Sequence, residues 1–247
     1  MIKAYFQLTF RILYWLFIAP LKGYMFSIHA CIEQMVKIGV EALTMASLTG
    51  FSVGLTLAMQ SAKELMKLGA AEYVPDLVSL TLLRELGPVL IAVIVIGRSG
   101  SAVTAELGTM KVSEEIEALS VMGINPVRYL IIPRIIAMVI MLPVLTILGD
   151  FVAMFGAWLI CWLTLDMSVA IYIIHSVDRA TNWDLYAGII KAFVFAWLII
   201  TIACNAGLEV KGGAAGVGKA TTNSVVYSLL AMLVANAILT GIFFYLL

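Results

Sequence analysis

The sequence predicts an all-α integral membrane protein, and its composition and the lengths of its apolar stretches support that prediction. Of its 247 residues, 63% are hydrophobic and 12% are charged, with a mean hydropathy of +1.07, whereas soluble domains carry about 25% charged residues. A hydrocarbon core of about 30 Å is crossed by about 20 helical residues. Stretches that reach this length, alone or joined across one charge, are residues 42–62, 135–149, 151–165, 192–208 and 225–247.

Residues 1–38 are predicted to form an interfacial helical region at the membrane surface and not a span. Charged residues interrupt this region at short intervals. Between residues 28 and 40 the apolar side chains share one helical face and His29, Glu33 and Lys37 share the opposite one, a pattern typical of a helix in the membrane plane. The apolar stretch at the N-terminus is not followed by the small-residue pattern of a cleavage site, so a removable signal peptide is not expected.

Residues 39–247 are predicted to form a bundle of about five transmembrane helices. The expected spans are residues 40–62, 77–110, 127–165, 185–208 and 225–247, with polar connections at 63–76, 111–126 and 166–184 and a glycine-rich loop at 209–223. The third of these spans is long enough to be either a hairpin or a bent helix.

The second span is unusual because residues 77–110 exceed a single perpendicular crossing. Pro88, directly after Gly87, removes one backbone donor and is expected to kink the helix. The segment must therefore be broken, tilted or extended beyond the bilayer. Both a single bent helix and a re-entrant piece followed by a helix remain open.

A short cytoplasmic helix is predicted at residues 113–122, between the second and third spans. A serine is in position to cap it, glutamates fill the first turn as the helix dipole favours, and apolar residues recur at every third position. The residues concerned are Ser113, Glu114, Glu115, Ile116, Glu117, Leu119 and Met122. Two interpretations remain open, namely a solvated charged face and a rigid lever on which a cytoplasmic motor acts.

The distribution of basic residues predicts a cytoplasmic N-terminus. In that orientation nine lysines and arginines lie on the cytoplasmic side and three lie on the other side. The cytoplasmic set is Lys3, Arg11, Lys22, Lys37, Lys111, Arg128, Arg134, Lys211 and Lys219, and the opposite set is Lys63, Lys67 and Arg179.

Six charged residues fall within the predicted spans, where a charge costs about 2.5 to 3.5 kcal/mol at the helix centre. They are Arg84, Glu85, Arg98, Glu106, Asp150 and Lys191. Such residues either line a polar cavity and pair across it, or snorkel to water from a position near the interface. Snorkelling is favoured for Asp150 and Lys191, and both interpretations stay open for the other four. Arg98 and Glu106 lie about 80° apart around a helix, so both could face one neighbour.

No enzymatic, metal or nucleic-acid site is expected. The chain has two histidines, far apart in sequence, and its three cysteines lie in apolar sequence, where core filling is expected. Residues 213–219 match the phosphate-binding pattern GxxxxGK, but Ala220 follows where the pattern has serine or threonine, and no strand precedes it. The formal net charge of zero gives no reason to expect nucleic acid.

Three motifs, specific in combination, extend from the second span to the start of the last one. They are LLRELGPV at residues 82–89 with GRSGSA at 97–102; AELGTM, EEIEAL, MG and NP within residues 105–126; and GVGKATT at residues 216–222. With these motifs, the chain from about residue 40 to its C-terminus resembles the MlaE/YrbE-type permeases, which are associated with Mce-domain lipid-transport systems of bacteria and chloroplasts.

The resemblance implies a single permease domain over residues 1–247, in a homodimer with two copies of a cytoplasmic ABC ATPase and with a periplasmic Mce-domain lipid-binding protein. Such a transporter lies in the bacterial inner membrane, moves phospholipid between the inner and outer membranes and maintains outer-membrane lipid asymmetry. No cofactor is expected in this chain, because ATP and Mg would be bound by the ATPase.

The resemblance also implies roles for particular residues. The helix at 113–122 would dock on the ATPase through Ser113, Glu114, Glu115, Ile116, Glu117 and Leu119. The lipid cavity between the protomers would be lined by residues that include Leu57, Met59, Arg84, Glu85, Arg98 and Glu106.

Three other function classes remain to be weighed. A stand-alone ion-coupled secondary transporter would work without an ATPase, and it predicts internal repeats that the sequence does not display. An intramembrane enzyme would need a nucleophile with a base, or a metal cluster, for which the sequence offers no set of residues. A structural anchor for a periplasmic partner would leave lipid transport unchanged after its ATPase contact is disrupted.

Overall fold

The structure is a computed structural model that describes residues 2–18, 27–179 and 182–246, and within these ranges it contains helices and no strand. The α-helices are α1 (Ile2–Leu13), α2 (Ile28–Ile38), α3 (Leu43–Lys67), α4 (Val74–Thr81), α5 (Gly87–Val95), α6 (Ser101–Val112), α7 (Glu115–Val121), α8 (Ile132–Leu165), α9 (Val169–Arg179), α10 (Asn182–Leu208) and α11 (Gly213–Leu246). Turns of π-helix lie at Tyr14–Ile18, Leu82–Leu86, Ile96–Gly100 and Val127–Ile131, and 3₁₀ turns at Val40–Ala42 and Ala71–Tyr73. The prediction of an all-α protein is confirmed. Residues 19–26 of the predicted interfacial region lie outside the described residues.

Five helical segments of the described chain are long and apolar enough to cross a membrane, as predicted. They are Ile28–Lys67, Ala71–Val112, Val127–Leu165, Trp183–Leu208 and Gly213–Tyr245. The third is one helix and not a hairpin, because the backbone stays helical through Pro143. The first includes α2, which leaves the apolar side chains of Ile28, Ile32 and Val36 exposed. The position of α2 in the membrane plane stays a prediction.

The second candidate span is one continuous helical segment interrupted by two π-turns, which agrees with a single bent helix. At the first π-turn, the amide of Gly87 donates to the carbonyl of Leu82, five residues earlier. In a regular α-helix the ring of Pro88 would clash with the carbonyl four residues before it. The wider π-turn, which ends two residues before this proline, accommodates it.

The described chain divides into two compact units. Unit 1 comprises Met1–Ala42, Val95–Met141 and Val194–Ala235, and unit 2 comprises Leu43–Ile94, Leu142–Phe193 and Asn236–Leu247. Several helices, α8 and α10 among them, contribute residues to both units. A single permease domain over residues 1–247 stays a prediction.

Within unit 2, α3 and α8 approach each other closely at glycines of both helices. A Cβ atom on Gly50 would lie 2.7 Å from the carbonyl oxygen of Gly149, and one on Gly156 would lie 2.6 Å from that of Phe51. Small residues allow the two backbones to approach in this way, as is common for helices packed in a membrane.

Unit 1 contains a buried polar contact among α6, α10 and α11. The hydroxyl of Thr104 lies 3.1 Å from the carbonyl oxygen of Ala203 and 2.9 Å from the hydroxyl of Ser224. Because Thr104, Ala203 and Ser224 are all buried, these hydrogen bonds satisfy groups that would otherwise be costly to remove from water.

Two connections are more helical than the sequence indicated. The polar connection at 166–184 contains α9, whose Tyr172 hydroxyl donates to the carbonyl of Met154 at 3.0 Å. The predicted glycine-rich loop is helical from Gly213 onward, since α11 begins there. The GxxxxGK residues therefore form helical turns and not a phosphate-binding loop.

Candidate functional site

The π-turn before Pro88 presents a backbone carbonyl to a neighbouring helix. Proline has no N–H, so it cannot donate to the carbonyl of Arg84, four residues earlier. Nζ of Lys191, on α10, donates to this carbonyl at 3.0 Å. Gly188, one turn before the lysine, allows the approach, because a Cβ there would overlap the carbonyl oxygen of Leu83.

Lys191 is a buried cation, 1% exposed, whose ammonium has three hydrogen-bond acceptors. Besides the Arg84 carbonyl, Nζ donates to Oε1 of Glu85 at 2.6 Å and to Oγ1 of Thr240 at 2.8 Å. The threonine in turn donates to Oε1 of Glu85 at 3.0 Å. An ammonium has three protons, and a buried one must be paired and hydrogen-bonded to be tolerated. The Lys191–Glu85–Thr240 set, called the lysine cluster below, meets both conditions.

A cavity of about 250 Å³ borders the lysine cluster. It is lined by Arg84, Glu85, Ala187, Lys191, Thr240, Phe243 and Phe244. Arg84 forms an ion pair with the buried carboxylate of Asp184, and its side chain remains 39% exposed. The cavity thus combines an accessible guanidinium group with aromatic walls, which are features that suit a phosphate group and an acyl chain.

Snorkelling, the interpretation favoured for Lys191 and Asp150, is wrong for both residues. Lys191 has the partners just described, and Asp150 is 4% exposed. The carboxylate of Asp150 lies against the backbone of Gly87, where any Cβ atom would overlap it. These charges are therefore buried in the packing of unit 2 and do not extend to water.

Arg98 and Glu106 do not face one neighbour, so that expectation from their spacing is wrong. Nη2 of Arg98 lies 2.6 Å from Oε2 of Glu41, and its Nη1 donates to the carbonyl of Lys37 at 3.2 Å. The second contact binds a carbonyl at the C-terminus of α2, where the helix dipole favours a cation. Arg98 thus holds the end of α2.

Glu106 pairs with Arg134, and this contact joins the two helices that flank α7. Nη2 of Arg134 lies 2.9 Å from Oε2 of Glu106, and its Nη1 donates to the carbonyl of Leu130 at 3.0 Å. We call the Glu106–Arg134 contact the clasp. Arg134 is buried within α8 and not in a loop, and the cytoplasmic position of the N-terminus stays a prediction.

The predicted helix at 113–122 is shorter and begins differently in the structure. α7 spans Glu115–Val121, and Glu114 takes the N-cap position in a left-handed conformation with φ of +59°. Ser113, the predicted cap, donates instead to the carbonyl of Thr109 at 2.8 Å. The capping prediction is wrong because the chain turns at Glu114, so the serine side chain stays with α6.

An ion pair between Lys111 and Glu117 ties α7 back to α6. The ammonium group stabilises the carboxylate and holds the pKa of Glu117 below its ordinary value. Oε1 of Glu115 lies 2.8 Å from the hydroxyl oxygen of Ser113. Two of the three predicted docking glutamates therefore already have partners within unit 1.

The apolar side chains of α7 separate into an inner and an outer group. Ile116 is buried and Leu119 is half-buried. Val121 is 89% exposed, and Met122 is 64% exposed, so Met122 does not share the buried face that its spacing predicted. We call Val121 and Met122 the apolar tip.

Leu57 and Met59 lie in different surroundings on α3. Leu57 packs against the buried core of unit 2, whereas Met59 is 57% exposed. Positions two apart in sequence, such as these, point about 200° apart around a helix. Met59 instead shares an exposed face with Met45 and Leu48, so this face is the part of α3 available to a lipid or to another subunit.

The partner residues Glu41, Arg134, Asp184 and Thr240 were not identified from the sequence. Each lies between 28 and 155 residues from the charge that it contacts. A charge inside an apolar helix is a signal that a partner exists, but the partner's identity depends on which helices are neighbours. In the described part of the chain, no group of three histidine, cysteine, aspartate or glutamate side chains is arranged to hold a metal ion.

Comparison with known proteins supplies the family. The family model described as Permease MlaE matches residues 31–242. A probable ABC transporter permease protein of Synechocystis is 42% identical over 86% of this chain and 81% of its own length. The intermembrane phospholipid transport system permease protein MlaE of Haemophilus influenzae is 37% identical over 86% and 82%, respectively. The chloroplastic protein TRIGALACTOSYLDIACYLGLYCEROL 1 of Arabidopsis thaliana is 38% identical over 86% and 61%. With a match over most of its length and relatives of this similarity, the chain belongs to the MlaE permease family.

Proposed function

We propose that this protein is the membrane-spanning subunit of an ATP-driven transporter that moves phospholipid between the inner and outer membranes and so maintains outer-membrane lipid asymmetry. The family match and the similarity to a permease named for intermembrane phospholipid transport support the proposal. The observation that carries it is α7, a short helix with an exposed apolar tip, held between two candidate spans by an ion pair and by the clasp.

The geometry of α7 suits the transmission of force. Because Lys111 and Glu117 join α7 to α6, and the clasp joins α6 to α8, a push on α7 acts on both helices together. A separate ATPase that closes on ATP would supply this push through contact with the apolar tip. The proposed contact uses Val121 and Met122, together with the predicted residues Ser113, Glu114, Glu115, Ile116, Glu117 and Leu119.

The proposed path for the lipid lies along exposed residues of unit 2. The half-exposed Arg84 guanidinium at the 250 Å³ cavity would bind phosphate, and Phe243 and Phe244 would contact an acyl chain. Met59 and its neighbours on the exposed face of α3 would offer the lipid a second apolar surface. Glu85, through its ion pair with Lys191, would fix the position of the lysine ammonium at the cavity. The packed Leu57 and the paired Arg98 and Glu106 would hold the helices in position.

The remaining parts of the assembly are proposed on the same basis. The chain would form a homodimer, with ATP and Mg bound by the separate ATPase subunits and lipid exchanged with a periplasmic Mce-domain protein. It would lie in the bacterial inner membrane with its N-terminus in the cytoplasm.

The test is to purify the tagged chain from its native membrane, then identify copurifying proteins and phospholipid by mass spectrometry and assay ATP hydrolysis. We expect an ATPase subunit and phospholipid in stoichiometric amounts. The double variant Val121→Asp/Met122→Asp should lower ATPase recovery at least about tenfold, because it places charges in a desolvated contact. Leu68→Asp, at another exposed apolar position, is the matched control and should retain it.

Two results would contradict the proposal. Transport driven by an ion gradient in vesicles without any ATPase would favour the secondary transporter. Unchanged lipid transport by the apolar-tip variant, despite loss of the ATPase, would favour a structural anchor.

A further inference from the structure

A cavity of about 610 Å³ in unit 1 opens where α10 ends and α11 begins. Its size falls within the range of about 300 to 1,000 Å³ that is usual for small-molecule sites. Tyr5 of α1 lines one side, held by a hydrogen bond of 3.0 Å between its hydroxyl and that of Thr201. The cavity shares no residue with the one beside Lys191, so it is a separate candidate site.

Apolar and small side chains form the long walls of this cavity. On α10, Leu198, Ile202 and Ala206 lie four residues apart and therefore on one face. On α11, the small residues Ala220 and Ala231 leave the facing side open. The apolar lining between two candidate spans is suited in polarity to an acyl chain.

Two lysines line the same cavity, and neither has a partner in the described part of the chain. Lys211 lies in the connection between the helices and Lys219 lies in the second turn of α11, and both are exposed. Gly212 and Gly213 have φ of +90° and +69°, which lets the chain reverse between the two helices. A Cβ on Gly216 would overlap the carbonyl oxygen of Lys211, so this reversal is tight.

The remaining polar lining residues fit the region between a headgroup and its acyl chains. Asn205 of α10 is nine-tenths buried and lines the cavity with its amide, and Asn223 of α11 also lines it. Glu209 is exposed and lines the cavity beside Lys211. Two cations and one anion leave an excess of one positive charge, which is complementary to a phosphate diester.

We propose that this cavity binds a membrane phospholipid, with its phosphate between Lys211 and Lys219 and one acyl chain in the groove between α10 and α11. Basic pockets between membrane helices commonly bind lipid headgroups in this way. The predicted orientation places the site in the cytoplasmic leaflet. It goes beyond the proposed transport function, because it requires neither the ATPase nor the cavity beside Lys191.

The test uses the purified full chain in dodecyl maltoside, a detergent without phosphate. Two probes with the same diazirine-bearing acyl chain are compared, one a phosphatidylglycerol and the other a diacylglycerol. After photolysis and digestion, we expect phosphatidylglycerol adducts on the peptides around Leu198 and Ala231, at least about ten times more abundant than diacylglycerol adducts, since each lysine contributes to binding of the phosphate.

Variants assign the adducts to the lysines and to the groove. Lys211→Gln/Lys219→Gln should lower phosphatidylglycerol labelling to the diacylglycerol level, and Lys211→Arg/Lys219→Arg should preserve it. Ala231→Trp, which fills the groove and keeps both lysines, should remove labelling by both probes. Lys63→Ala, at an exposed lysine of unit 2, is the matched control and should change nothing.

Equal labelling by the two probes, or labelling unaffected by the glutamine variants, would overturn the proposal. Absence of adducts from these peptides, with adducts present elsewhere in the chain, would overturn it as well. Since the readout is taken without the ATPase, loss of copurifying ATPase in the transport test leaves this result unchanged, and the two proposals fail separately.

Discussion

The two π-turns that precede prolines in candidate spans share a local arrangement but differ in how they are held. Leu82–Leu86 ends two residues before Pro88 in unit 2, and Val127–Ile131 ends two residues before Pro133 in unit 1. In both, the amide of the next residue donates to the carbonyl five residues earlier. A proline within a long helix is thus accommodated by the same wide turn twice.

The difference lies in the cation beside each turn. The turn in unit 2 is bound by Lys191 from another helix, and that lysine also contacts Thr240 of a third. Near the turn in unit 1, Arg134 donates to Leu130 of its own helix and has one acidic partner, Glu106. We infer that the first turn is fixed in place by its neighbours, whereas the second can move with α7.

The largest effect is expected when the lysine cluster loses its anion. Glu85→Ala leaves the Lys191 ammonium buried without a carboxylate, at a cost of about 3 to 5 kcal/mol in the free energy of unfolding. The measurement is loss of monodisperse protein on heating in a fixed detergent. The double variant Glu85→Ala/Lys191→Met removes both charges and should recover part of the loss. A double variant less stable than Glu85→Ala would show that the ion pair is not the source of the effect.

Removal of the glutamate from the clasp should lower the free energy of unfolding by less than its removal from the lysine cluster. Glu106→Ala leaves Arg134 with only its backbone acceptor, and we expect a cost of about 2 to 3 kcal/mol. In the assembled transporter, ATP hydrolysis should persist while lipid transport falls about tenfold, because α6 and α8 no longer move together. Glu33→Ala, in an exposed pair with Lys37, is the control and should cost less than about 1 kcal/mol. Equal losses of hydrolysis and transport would argue against the clasp as a coupling element.

Glycine variants test whether the turn in unit 2 is fixed by close packing. Gly188→Ala places a methyl group against the carbonyl of Leu83 and should destabilise by about 1 to 2 kcal/mol. Gly218→Ala, in a helix and with open space around the new Cβ, should be neutral or stabilising by up to about 1 kcal/mol. Both are read from the same heating experiment, and equal stability of the two variants would contradict close packing at Gly188.

The smallest effect concerns the exposed pair of α7. The pKa of Glu117 is lowered in the folded state, so its contribution is present above the ordinary glutamate pKa and is lost as pH falls through the lower folded value. At neutral pH, Glu117→Gln should mimic acidification and modestly speed hydrogen exchange of the α7 amides. Exchange in α9 serves as the internal reference, and unchanged exchange in α7 would show that Lys111 does not restrain it.

Sequence reasoning predicted the spans well because apolar length alone decides them. It missed α9 because residues 166–184 contain enough polar positions to look like a connection. It also read the start of α11 as a loop, since glycine lowers helix propensity, yet Gly216 is required there by the close approach of the Lys211 carbonyl.

The candidate site was predictable only in outline. Pairing was one of the two interpretations left open for Arg84 and Glu85, and their partners Asp184 and Lys191 lie 100 and 106 residues away. Ser113 satisfied every local rule for a helix cap and still belonged to the preceding helix. Rules based on local sequence do not predict a change of chain direction that depends on the left-handed conformation of Glu114.

The separation of Glu85 from Lys191 also has a consequence for synthesis in the cell. The ribosome adds about 5 to 20 residues per second, so the 106 residues between them take roughly 5 to 20 s to translate. During that interval the second span enters the bilayer with a carboxylate whose counter-charge does not yet exist. A charge at the centre of the bilayer is costly, so we expect the part of the second span around Glu85 to reach its final depth only after α10 has been made and Lys191 can pair with it.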